Sequence, residues 1–312
     1  MKTFERALLI KLLLILPLVL MIQSYTESGR LSSRELSEKA WSFSNKDTLS
    51  METMGNTKVY ISGSGSGQIE IRVRYIARPD EKFEVKEKQR TLYLEEIILN
   101  YDRQRPTQTY FEECTWIITV PQGIYIKCNG SSSDFKVSGF NGFFKADYGF
   151  GSFVFDNVDG NIEMSMGSLF SKIHNSKGTF NLSSALGSIR ATDLTITGNS
   201  SFSTGMGSIK ISLARMPAAD LYVCSSFNKA KVNFNGHPVA GYFEFIARAD
   251  KGRIKSPFKF DNEETFLDDI KNYNTSSDFG KKDKYNRKSF IRGDSNPKIT
   301  LKTVTGTAKI TM

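Results

Sequence analysis

The sequence predicts an all-β fold: an irregular parallel β-helix or solenoid of short strands, preceded by antiparallel hairpins. Three observations carry that expectation. Glycines recur between Gly142 and Ile211, apolar-polar-apolar triplets follow most of them, and the composition favours strands over helical bundles. The 312 residues include 23 Phe and 24 Gly against 2 Trp, and 39% hydrophobic content suffices for a real core.

The repeat contains two interleaved glycine series. Gly142, Gly160, Gly178 and Gly198 form one, and Gly151, Gly167, Gly187 and Gly207, each followed by Ser, form the other. Neighbouring glycines fall about every nine residues, and a full unit takes roughly 16–20. Phe144-Lys145-Ala146, Ile162-Glu163-Met164, Phe180-Asn181-Leu182, Ile189-Arg190-Ala191 and Ile209-Lys210-Ile211 place two apolar side chains on one face of a strand and a polar one on the other. The positions after Gly151, Gly167 and Gly198 depart from this pattern. A strand this short cannot bury its apolar face alone, whereas stacked coils join such faces into one core. An antiparallel sandwich with glycine turns would also give short alternating strands. Separate flanking patterns for the two series favour the stack.

The chain opens with Lys2 and Arg6, followed by a nearly unbroken apolar run from Ala7 to Ile22 and a polar Gln23-Ser24-Tyr25-Thr26. That order makes residues 1–26 a secretory signal or, given the run's length, an N-terminal membrane anchor. Residues 27–54 read as a polar linker, with a helical turn or two expected around Glu35–Trp41. A single domain then covers 55–312, with a charged insertion at 261–297 that reads as a surface loop.

Within that domain, Lys58–Ser62 and Gln68–Tyr75, joined by Gly63-Ser64-Gly65-Ser66-Gly67, read as a hairpin. The glycine-serine loop leads into a strand rather than a helix, which sets it apart from a phosphate loop. Further strands are expected at Phe83–Lys88, Leu92–Asn100, Tyr110–Val120, Asp220–Ser225, Lys231–Phe234 and Tyr242–Ala247, and Pro297–Ile310 closes the chain.

The Val120-Pro121-Gln122-Gly123 strand pair, the glycine ladder and the terminal Pro297-x-Ile299-x-Leu301-x-Thr303-x-x-Gly306-x-x-x-Ile310 resemble the bacterial putative-adhesin domain family over residues 55–312. The resemblance implies an exported or membrane-attached all-β protein with a β-helix-like architecture, no established activity and no catalytic residues to carry over. Thr307, Ser152, Ser168, Ser188 and Ser208 stand where members commonly have Asp, so the resemblance implies no repeated acidic or calcium-binding face.

The chemistry-bearing residues are few. Cys114, Cys128 and Cys224 are an odd set without a Cys-x-x-Cys; three free thiols are expected, with a Cys114–Cys128 disulfide as the alternative. His174 and His237 sit in turn-like contexts without a nucleophile or metal pattern. Asp134, Asp147, Asp156, Asp159, Glu163 and Asp193 are scattered in phase, although a β-helix glycosidase would hold a carboxylate pair. No cofactor, metal or catalytic residue is assigned.

Charge is the remaining signal, with 42 Lys and Arg against 33 Asp and Glu for a net +9. Partners are expected among envelope polymers, envelope proteins or further copies of the chain, with no nucleic acid and with membrane contact only through the N-terminal segment. A solvated basic face is the ordinary alternative. Arg72, Arg74 and Arg78, and Lys281, Lys282, Lys284, Arg287 and Lys288, are the candidate polyanion or partner contacts. The reading is therefore an exported, non-catalytic binding module, with a carbohydrate-active enzyme on the same scaffold as the second hypothesis.

Overall fold

The structure, a computed structural model, describes residues 36–55, 57–76, 81–98, 114–268 and 283–312. Residues 1–26, the first part of the 27–54 linker, Arg78, Lys281 and Lys282 lie outside them. A compact unit spans Glu38–Met312. Every regular element among the described residues is a strand.

The N-terminal strands are β1 Leu36–Ser44, β2 Thr48–Thr53, β3 Thr57–Ser64, β4 Gln68–Ile76, β5 Glu81–Lys88, β6 Thr91–Ile98 and β7 Cys114–Pro121. Four long strands follow: β8 Ile124–Ser138, β9 Asn141–Asp156, β10 Asp159–His174 and β11 Lys177–Ile196. Then come β12 Ser200–Met206, β13 Ile209–Leu213, β14 Leu221–Ser225, β15 Lys229–Asn233, β16 Gly241–Arg248 and β17 Gly252–Lys255. The last are β18 Asn262–Asp268, β19 Asp283–Arg292, β20 Lys298–Thr303 and β21 Gly306–Thr311.

Together they build a large, mostly parallel sheet whose strands run in two rows. In the middle of the chain each layer places one half-strand in each row. Gly142 faces Gly160, which faces Gly178, so each layer repeats its predecessor at an offset of 18 residues. The step widens to 20 residues from β11 to β12 and β13, and to 21 from there to β14 and β15. Phe144 and Phe155, at opposite ends of β9, nevertheless lie 5.3 Å apart. The chain therefore bends between them, and the two rows share one core.

That core follows from period-two alternation. Inward positions carry Phe135, Phe144, Phe153, Phe155, Phe180 and Phe202, all essentially buried. Phe135 stacks on Phe153 in the next layer at 4.7 Å and 8°. Each such ring contributes about 1.5–3 kcal/mol through burial. Ser171 occupies the same inward column between Phe153 and Ile189, and its buried hydroxyl has no hydrogen-bond partner among the described residues.

Two corner types turn the chain. At the first, glycine is required by close approach: a Cβ at Gly207 would lie 1.4 Å from the Gly187 carbonyl oxygen, and its φ of +155° suits only glycine well. Register also divides the second glycine series. Gly151 and Gly187 both face Leu169, while Gly167 packs on Gly149 instead. This explains the departure after Gly167: Leu169 takes the glycine position and Phe170 turns outward. The second corner relies on Gly139, Asn157, Asn175 and Asp193, all at positive φ and stacked through the amides of 139, 157 and 175. Short polar side chains tolerate this conformation.

Three sequence expectations are corrected. β3 and β4 do not form a hairpin, because both edges of β3 are taken by parallel partners, β7 and β8, and β4 lies antiparallel on the far side of β7. The predicted helical turn at Glu35–Trp41 is largely strand β1. The 261–297 insertion is not simply a loop: β18 and β19 pair antiparallel, and β19 pairs with β16. The strands expected at Phe83–Lys88 and Leu92–Asn100 are β5 and β6, which pair antiparallel, and the β7–β8 turn stands as expected, with Gly123 at φ +79°.

At each end the penultimate layer is filled out of chain order. β2 and β3 sit between β8 and the β6–β7 layer. Likewise β20 and β21 sit between the β14–β15 layer and the β16–β17 layer, a step of 78 residues. The described end strands β4, β5, β18 and β19 run antiparallel, which breaks the parallel register.

A buried carboxyl anchors the N-terminal end. Glu96, 3% exposed, accepts from Trp116 Nε1 at 2.7 Å, from the Met54 amide at 2.9 Å and from the Thr57 hydroxyl at 3.0 Å. Burial pushes its carboxyl above the ordinary value, against the pull of these donors.

Candidate functional site

The layer register creates a basic column on the outward face of the second row. Lys136 faces Val154, Val154 faces Lys172, Lys172 faces Arg190 and Arg190 faces Lys210. Lys210 then faces Lys231, Lys231 faces Lys309 and Lys309 faces Lys255. Seven cations thus occupy eight consecutive layers, separated by about 4.8 Å per step. Lys136, Arg190, Lys210, Lys231 and Lys309 are placed outward by buried apolar residues on either side, as in Phe135-Lys136-Val137, Ile209-Lys210-Ile211 and Ala308-Lys309-Ile310, while Lys172 lies between Ser171 and Ile173 and Lys255 between Ile254 and Ser256.

None of the seven has an ion-pair partner among the described residues, whereas basic residues elsewhere commonly do. Like charges directly opposite one another across a sheet are unfavourable, by roughly 0.2–1 kcal/mol per pair. One flanking column carries Ser152, Ser188 and Thr307 together with the cationic Lys229 and Arg253, and the other carries Ser138, Thr192, Asn233 and Thr311. Asp134 and Asp156 lie near the N-terminal end of these flanks.

Val154 is the one short apolar side chain in the column, and a depression of about 320 Å³ opens there. Lys136, Lys172 and Arg190 line it together with Asp156, His174 and Thr192. The His174 Nδ1 lies 2.9 Å from the Thr192 hydroxyl and 3.8 Å from the Asp193 carboxylate. The result is a shallow cationic surface with hydroxyl and imidazole groups at its side.

The opposite outward face, on the first row, differs. Its corresponding column reads Lys127, Lys145, Glu163, Asn181, Ser201, Tyr222 and Thr300. Lys145 and Glu163 pair at 2.6 Å, and this partner holds the Lys145 ammonium above its ordinary value.

The basic residues singled out from sequence fall elsewhere. Arg72 and Arg74 project from β4 and both pair with Glu38, at 3.3 and 2.6 Å. On β19, Arg287 pairs with Glu264 at 2.6 Å and with Glu244 at 3.5 Å, and Lys288 pairs with Glu263 at 2.5 Å. Lys284 is exposed at the start of β19. The two groups lie toward opposite ends of the layer stack and are not brought together.

Cys114 and Cys128 are buried, Cys128 and Cys224 are free thiols, and the Cys114 thiol donates to the Glu96 carboxylate at 3.4 Å. Burial pushes the Cys128 thiol far up, which makes it inert. Asp134, Asp147, Asp156, Asp159 and Glu163 never face another carboxylate in the register, and Asp159 and Glu163 pair with Lys177 and Lys145. Among the described residues no group of three metal-ligating side chains converges.

Five of the column's seven cations, Lys136, Arg190, Lys210, Lys231 and Lys309, were present in the sequence as the centres of apolar-basic-apolar triplets. Ile189-Arg190-Ala191 and Ile209-Lys210-Ile211 mark strands by their apolar members, and the sign of the middle residue is the signal that would have found it.

Comparison with known proteins gives structural likenesses at low identity. A putative adhesin from Bacteroides fragilis is 14% identical, with 89% of this chain and 98% of that one covered and a TM-score of 0.45. A putative cell adhesion protein from Clostridium sporogenes is 14% identical over 88% and 99% of the two chains, at a TM-score of 0.27. A putative lipid binding protein from Parabacteroides distasonis is 9% identical over 89% and 96%, at 0.37. No family model and no curated protein matches the chain.

Proposed function

We propose that this chain is an exported, non-catalytic binding module of the bacterial cell envelope, a β-solenoid whose second-row face binds a polyanionic envelope component. The observation that carries the reading is the basic column: seven cations in register, without ion-pair partners among the described residues. Folding alone has no use for stacked like charges, and an extended anion would relieve their repulsion. The constant 18-residue offset through β8 to β11 supports the solenoid reading, since one coil per layer produces it.

The flat, hydroxyl-flanked surface suits a linear ligand more than a small molecule. Arg72 and Arg74 at one end and Lys284, Arg287 and Lys288 at the other serve as secondary contacts. Binding is tested by titrating the full chain with a soluble linear polyanion, polyphosphate or dextran sulfate, at several salt concentrations. Saturable, salt-sensitive binding that is weakened by Lys172→Gln, Arg190→Gln and Lys210→Gln supports the reading. Binding unaffected by those three substitutions contradicts it. N-terminal sequencing of protein from soluble and membrane fractions tests export and the fate of residues 1–26.

A further inference from the structure

A second exposed feature runs parallel to the basic column. Where the long strands bend between rows, the outward corner carries Phe150 in β9, Leu186 in β11 and Met206 in β12, aligned through Ser168 of β10. Phe170 stands two residues beyond Ser168. Phe227, whose amide donates to the Gly205 carbonyl at 3.1 Å, extends the row into the next layer. Phe150, Phe170, Leu186, Met206 and Phe227 are 63, 61, 40, 51 and 45% exposed.

Single exposed apolar residues are ordinary, but four in one row with a fifth, Phe170, two residues along the strand are not. It extends over four interlayer steps, about 19 Å. The flanking layers carry Ser132 and Thr305 near the same corner, so the ridge is confined to the middle of the stack. Those are the layers that present Lys172, Arg190, Lys210 and Lys231.

The spacing between ridge and column is short. Phe170 precedes Lys172 by two residues, about 7 Å along the strand, and Leu186, Met206 and Phe227 precede Arg190, Lys210 and Lys231 by four, about 13 Å. Ser188 and Ser208 lie between. A convex apolar ridge beside a row of cations matches what a peripheral protein presents to a membrane: apolar side chains enter the acyl boundary while Lys and Arg meet the headgroup phosphates. A second copy fits less well, because ridge-to-ridge contact would bring two basic columns toward each other. Five side chains on a convex edge also offer little area for a stable dimer.

We propose that ridge and column together dock this chain on an anionic phospholipid bilayer, with the layer stack lying along the membrane plane. The proposal rests on the polyanion reading above and names the polyanion as a headgroup layer. It also makes membrane contact a property of the β-domain, beyond the N-terminal segment.

Tryptophan quenching tests it in the full chain. Phe170→Trp and, on the opposite face, Ser165→Trp are each added to the native Trp41 and Trp116 and mixed with phosphatidylglycerol-phosphatidylcholine vesicles carrying brominated acyl chains. The apolar run at residues 7–22 is common to both variants, so it produces no difference between them. The expected result is that the indole introduced by Phe170→Trp is quenched at least threefold more strongly than the one introduced by Ser165→Trp. Phe150→Ser with Phe227→Ser should reduce that quenching in the Phe170→Trp background. Equal quenching of the two reporters overturns the proposal. If polyphosphate still binds the column in that case, the polyanion reading survives; if it does not, both fall. Sedimentation showing a dimer dissolved by Phe150→Ser with Phe227→Ser would also overturn it, by making the ridge a self-contact.

Discussion

The two outward faces of the layered strands are built by the same rule and carry opposite chemistry. Most positions on each are the middle residue of an apolar-polar-apolar triplet, held outward because its neighbours are buried. On the first row those residues are mixed, and Lys145 finds Glu163 in the next layer. On the second row they are Lys or Arg in seven of eight layers, without partners among the described residues. The core dictates only that an outward residue be polar. Its sign is therefore left free by the core, and the second row carries almost one sign alone.

Charge reversal should separate the faces most strongly. Lys172→Glu, Arg190→Glu and Lys210→Glu are expected to weaken polyanion binding by on the order of 1000-fold or more at low salt, taking about 1 kcal/mol for each cation lost plus the added repulsion. Asn181→Glu, Ser183→Glu and Ser201→Glu on the first row should change it less than tenfold. Equal losses, measured by titration calorimetry, would mean that general charge rather than the column governs binding.

The interior behind the column supplies a smaller effect. Ser171 interrupts an apolar column with a hydroxyl unpartnered among the described residues, so Ser171→Ala should raise unfolding stability by about 1 kcal/mol in denaturant titration. A loss of stability would show that the hydroxyl has a partner after all.

The smallest effects concern the stability cost of the column itself. Arg190→Gln and Lys210→Gln should each raise stability by a few tenths of a kcal/mol at low salt, with the gain fading as salt screens the repulsion. Lys145→Gln on the first row should instead lower the melting temperature slightly by removing the Glu163 pair. If all three shift in the same direction, the contrast between the faces fails.

Much of the fold is legible in the sequence because its rules are local. Alternation marks nearly every strand, and the first glycine series falls in register at Gly142, Gly160 and Gly178. Reading failed where two stretches compete for one edge. The Gly63–Gly67 run satisfies every local requirement of a hairpin, yet β7 and β8 occupy both edges of β3. Gly167 also looks equivalent to Gly151 and Gly187 until register shifts it by two positions.

The basic column illustrates the same limit. Its triplets are visible singly, but their stacking depends on steps of 18, 20, 21 and 78 residues and then on a backward step from Lys309 to Lys255. No constant period predicts that Lys309 stands beside Lys231. Conversely, Arg72 and Arg74 cluster in sequence, and only the structure places both against Glu38.

The most direct test of the central claim is the salt dependence of polyphosphate binding, compared between the native chain and the Lys172→Gln, Arg190→Gln, Lys210→Gln variant. Each phosphate contact releases bound counterions, so the logarithm of affinity falls with the logarithm of salt in proportion to the contacts made. The account predicts a native slope that becomes shallower by about two to three in the variant. An unchanged slope would contradict it, because the anion would then lie somewhere other than along the column.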